Sequence, residues 1–213
     1  MSLFLGKIHY WLFNKILWFE GLEKEMINLA KDLGLDVQKI QSEIETKYEP
    51  MLPEKPLEEL IDQGNIHGWL QNAINNAEGR MAAWTKAIIA ADPANITKIE
   101  EIYINQGIKA ANEVKETSRE INSAKEIYMK INDYILDGMP CDRVDEVIDA
   151  NEECITWRKT LCVHKDIWEK EGVDVKQFYD LRDLWIESFV NKVNSNFQYV
   201  KNSDGTLSIK VVN

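Results

Sequence analysis

A stripe of mostly apolar positions runs through Ile96, Ile99, Tyr103, Gln106, Ala110, Val114, Thr117, Ile121, Ala124, Tyr128, Ile131 and Ile135. Steps of three and four are the helical period. The stripe predicts one long helix, about 60 Å if unbroken at 1.5 Å per residue. "ETSREINS" (116–123) is where it would bend, and Gly138 and Pro140 end it. Upstream, residues 3–33 read as a helix closed by Gly34 in the C′ position. Residues 36–48 form a short second helix with Asp36 as N-cap. "EPMLPEKP" holds three of the five prolines and is extended. Pro56 then suits the first turn of a helix over 56–91, which "DPAN" breaks.

The period changes after residue 138. "CITWRKTLCV" (154–163) alternates and is rich in β-branched and aromatic residues, so it reads as a strand. "DEVID" (145–149) is its candidate partner. Residues 174–194 return to helix behind Asp174. "FQYVKNSDGTLSIKVV" closes as a hairpin turning at Asp204-Gly205. The expected fold class is mainly α (α+β). It is a bundle of long helices with an internally duplicated helix pair and a small C-terminal antiparallel sheet. Residues 1–137 make the helical part and 138–213 the remainder, packed as one domain.

The duplication rests on two segments. "GKIHYWLFNKILWFEG" (6–21) and "GNIHGWLQNAINNAEG" (64–79) agree at nine of sixteen positions without a gap. At 100° per residue, His9, Leu12, Ile16 and Glu20 share one stripe, and His67, Leu70, Ile74 and Glu78 share its counterpart. Ionisable groups on an apolar stripe cost free energy unless paired. A third helix adds Arg182, in one arc with Phe178, Trp185 and Phe189, where a guanidinium needs a carboxylate. Glu20 or Glu78 is the expected partner. A structural ion pair with two satisfied core histidines accounts for the same residues. The leading functional reading is a polar pocket between helices, lined by His9, His67, Glu20, Glu78 and Arg182 and walled by Trp11 and Trp69. His9 and His67 are its candidate metal ligands, and a divalent metal its candidate cofactor. Neither Glu-x-x-His nor His-Glu-x-x-His occurs.

All three cysteines lie in the changed segment: Cys141, Cys154 and Cys162. With His164 they have the chemistry of a Cys₃His zinc site, but not its spacing. On a strand, Cys162 and His164 point to one side, so they form a candidate nucleophile pair, with Cys141 as the other candidate thiol. A thiol-dependent enzyme is therefore the first alternative. An interaction module without a small-molecule site, including a homodimer, is the second. No phosphate loop, dinucleotide fingerprint or nucleophile elbow is present. The net charge of −11 argues against nucleic acid and against an anionic membrane surface. Lys7, His9, Asn14 and Lys15 interrupt the apolar N-terminus before it reaches a span's length. The odd cysteine count without a secretory signal points to a reducing cytoplasm.

Overall fold

The computed structural model describes residues 5–118 and 120–212, so the expected helical turn at residues 3 and 4 lies outside it. Eight α-helices and a four-stranded antiparallel sheet account for most of the described residues. Helix α1 spans Lys7–Asp32 and α2 spans Val37–Glu45, with the Asp36 carboxylate accepting from Lys39 N. The expected single helix over 56–91 is two, α3 (Leu57–Leu60) and α4 (Ile66–Ala91). Asp62 accepts from Gly64 N, and Asn65 caps α4 by accepting from Gly68 N. Local side-chain bonds of this kind offer the backbone an alternative to helix.

The long stripe from Ile96 is also divided. Helix α5 (Ile96–Thr117) stops at Ser118, whose backbone is extended, and α6 (Ala124–Ile131) starts afresh behind Ser123. Ser123 Oγ accepts from Glu126 N, and Ala124 N donates to the Glu152 carbonyl. Two strands follow, β1 (Asp145–Ala150) and β2 (Cys154–Lys159). Helix α7 (Lys165–Lys170), unforeseen from the sequence, precedes α8 (Val175–Val193) and the hairpin of β3 (Phe197–Lys201) and β4 (Leu207–Val211). Gly205 supplies the hairpin's left-handed backbone at φ +82°.

The strand order is β1-β2-β4-β3, every pair antiparallel. Ile155 faces Ile209, and Trp157 faces Leu207 on one side and Val147 on the other. A bulge between Val147 and Asp149 shifts the β1–β2 register. β1 is an outer strand and is exposed from its second residue on.

Helices α1 and α4 lie side by side and run the same way. The His9 and His67 rings at their starts are 5.6 Å apart, and Glu20 and Arg80 meet further along. Their apolar faces, including Leu12, Ile16, Met26, Leu70, Ile74 and Trp84, are buried. Helices α5 and α8 pack so closely that a Cβ on Gly107 would overlap the Trp185 carbonyl and Ser188 Oγ. No helix among the described residues is long and apolar enough to cross a membrane.

Candidate functional site

His164 begins α7 and is fully buried. Both ring nitrogens meet carboxylates. Nδ1 is 2.8 Å from Glu78 Oε2 on α4, and Nε2 is 2.8 Å from Asp137 Oδ1 in the segment after α6. Burial works against the imidazolium, but Glu78 and Asp137 outweigh it and raise the pKa above the ordinary value. Asp137 also receives Arg182 Nη1 at 3.1 Å and pairs with Lys159 Nζ. Arg182 Nη2 donates to the Leu136 carbonyl at 2.6 Å. Burial opposes the charge of Asp137, yet Arg182, His164 and Lys159 hold its carboxyl well below the usual range. Lys159 reaches on to Asp145, whose Oδ1 is 2.9 Å from Nζ. The chain thus links Glu78, Asp137 and Asp145 with His164, Arg182 and Lys159, three acids against three bases.

One end of this network forms the floor of a cavity of about 360 Å³ between α6, the sheet and α8. Asp137, Asp145, Lys159 and Arg182 lie there. Tyr128, Trp157 and Tyr179 give it aromatic wall, and Ile131, Ile135 and Ile186 aliphatic wall. The exposed lining residues, Thr160, Leu161, Cys162, Lys201 and Gly205, mark its mouth. Tyr179 donates its hydroxyl to Cys162 Sγ at 3.2 Å.

A second buried network lies between α1 and α4. Arg80 Nε is 2.9 Å from both Glu23 oxygens, Nη2 is 2.5 Å from Glu20 Oε1, and Nη1 donates to the Glu49 carbonyl. Two carboxylates share one guanidinium. Burial lifts Glu23 to about 7 against the pull of Arg80. Lys15 is a third buried charge. Its ammonium sits 3.9 Å above the Trp11 ring, and burial lowers its pKa to about 8, although Asp137 acts to raise it.

The pocket expected from the repeat is therefore dispersed. Glu20 belongs to the Arg80 network and accepts from Leu52 N, while Glu78 belongs to the His164 network. His9 is buried but spends Nδ1 on Gly6 N, and His67 is exposed. Trp11 donates to Asp133, and Trp69 is half-buried beside Phe13. Arg182 is the one residue of the expected set that lines the cavity, and Asp137 is its carboxylate partner in place of Glu20 or Glu78. Among the described residues no three His, Cys, Asp or Glu side chains gather so as to hold a metal ion, so His9 and His67 lack further ligands.

The thiols also separate. β2 ends at Lys159, and Cys162 and His164 lie beyond it, so strand geometry does not align them. His164 is committed to two carboxylates, whereas Cys162 is exposed and receives Tyr179. Cys141 is exposed in a 3₁₀ turn, and Cys154 is half-buried on β2. All three are free thiols.

Asp137, Lys159, Lys15 and Arg80 escaped the sequence reading. Arg80 and Lys15 carried the signal that exposed Arg182, a charge at an apolar helical position. Arg80 follows Ile74 and Ala77, and Lys15 sits among Leu12, Ile16 and Phe19. Asp137 lies in irregular backbone, where no periodicity marks a buried position. No family model, curated protein or solved structure matches this chain.

Proposed function

We propose that this chain is a small-ligand-binding protein whose ligand occupies the cavity between α6, the sheet and α8. The observation carrying this reading is the meeting of a mainly apolar cavity with one convergent charged floor. Ligand sites combine those two features, and their volumes run from about 300 to 1,000 Å³. At about 360 Å³ the cavity is at the small end. The network behind it supports the reading as well. Arg182 and Asp137 are held from several elements at once, which presents the floor with a fixed geometry.

The test is fluorescence titration with the neutral dye Nile red, alongside native mass spectrometry of the freshly purified protein. Saturable binding of one dye per chain, blocked by Leu161→Trp at the mouth, is expected. Binding that ignores both Leu161→Trp and the cavity-filling Ile186→Trp, or no binding at all, overturns the reading.

Cys162 favours a second reading in the same place, a thiol-dependent reaction on the bound molecule. Its Sγ stands at the mouth and receives the Tyr179 hydroxyl. Faster alkylation of Cys162 than of exposed Cys141 by iodoacetamide, lost in Tyr179→Phe, would support it. Equal rates at the two thiols would remove it.

A further inference from the structure

A buried indole N–H only donates, its direction is fixed by the ring, and it usually finds an acceptor. Trp11 and Trp185 follow that rule, donating to Asp133 and Gln106. Trp157 does not. It is 3% exposed on β2, and its ring is held against Tyr128 at 4.8 Å and Tyr199 at 6.1 Å between centroids. Among the described residues its Nε1 donates to nothing, yet unlike Trp168 Nε1 it is not sealed from space. With so little of the residue accessible, that opening is onto the cavity its ring lines. Arg182 bonds through Nη1 and Nη2, so its Nε–H is a second unused donor on the same lining.

The charges around this space are already matched. Asp137, Asp145 and Asp183 are paired with Lys159, Arg182 and Lys201. A charged ligand of either sign would lose its hydration there and find no free counter-charge. A donor without an acceptor is likewise costly where water is excluded. An uncharged oxygen acceptor satisfies the indole without disturbing a pair, and the aromatic and aliphatic walls cover an apolar body.

From this geometry we infer that the cavity selects an uncharged small molecule with an apolar body and one carbonyl-type oxygen, which accepts the Trp157 Nε1–H. Trp157 is then the residue that sets the site's specificity. The inference rests on the proposed ligand-binding reading.

Four compounds built on one benzene ring provide the test, each used to displace bound Nile red. Acetophenone carries a carbonyl, ethylbenzene no polar atom, benzoate an anion and benzylamine a cation. Acetophenone should bind about tenfold or more tightly than either ion. The indole resonances of the nitrogen-15-labelled chain give a direct readout that needs no variant. Acetophenone should move the Trp157 indole proton downfield, and ethylbenzene should not. Trp157→Phe should lower the affinity for acetophenone relative to ethylbenzene by about fivefold. That ratio cancels the differing cost of taking each compound out of water. Tyr128→Phe alters the same wall but keeps the indole, and should leave the ratio within about twofold. An equal indole shift with ethylbenzene, or either ion binding as tightly as acetophenone, overturns the inference. So does failure of all four to displace a dye that still binds, which leaves the ligand-binding reading standing. Absence of dye binding removes that reading and the inference with it.

Discussion

A single buried charge is judged by what it can share. Lys15 is nearly inaccessible, and a ring face is the contact it has found. Its folded pKa, about 8, lies below the ordinary 10.5, so holding the ammonium inside costs the fold free energy at neutral pH. Lys15→Met keeps the unbranched shape and should stabilise the chain by about 2–3 kcal/mol at pH 7. The gain should shrink as pH rises from 8 toward 10.5, because the folded lysine loses its proton first. Urea midpoints at several pH values check both statements. Glu23 predicts the opposite slope. Raised from 4.5 to about 7, it binds more protons folded than unfolded between those values, so stability falls as pH rises through that window. Glu23→Gln should flatten the slope. Arg80→Met should cost about 3–5 kcal/mol at neutral pH, since it strands two buried carboxylates.

Elements meet where small residues let them. Gly107→Ala should destabilise by about 1–3 kcal/mol, because its Cβ would strike the α8 backbone at Trp185 and backbone cannot step aside. Gly21→Ala is the control. Its Cβ would come 3.3 Å from Nε2 of Gln106, the end of a flexible chain, and alanine favours helix by about 1 kcal/mol over glycine. Chemical denaturation of the two variants should separate them clearly. The same scale shows what could be read in advance. The β1–β2 pairing, the closing β3–β4 hairpin, α8 and its Asp174 cap were legible, because each has a strong local period or turn. The ends of β2 and α5 were not. β2 stops at Lys159, the partner of the first β1 residue, Asp145, and beyond that pair Thr160 is held by the Val144 and Arg143 carbonyls outside the strand. α5 stops although its stripe continues, because Ser123 caps a new helix and Ala124 N goes to Glu152. Both endings are set by partners distant in sequence. The repeat was legible as a pattern and misleading as a site. Glu20 and Glu78 occupy matching positions, but the third helix and the segment after α6 reach only Glu78's network.

Across the whole molecule the His164 network joins α4, the segment after α6, β2, the start of α7 and α8. Residues on both sides of position 138 are therefore tied by buried ionic contacts, which are costly to break singly. Unfolding by urea should be one transition, with far-ultraviolet circular dichroism and tryptophan fluorescence coinciding. Two separated transitions would show that the halves unfold independently. The raised His164 pKa sets a pH sense as well. Its stabilisation is complete below the ordinary 6.5 and is lost as pH rises through the folded value, the same sense as Glu23.

The bulged outer strand has its own consequence. β1 leaves one row of backbone N–H and C=O groups unpaired, beside exposed Val147 and Ile148. A flat apolar edge of that kind is a template for polymerisation. Here the kink at Val147/Asp149 interrupts the template, and the side chains flanking it are the Glu146–Arg158 ion pair and Asp149. A second copy of this edge would meet a break in register where a continuous ladder is needed. Protection against fibre growth therefore resides in one irregular step of the strand, and deleting the extra residue there, Ile148, is the change that would remove it.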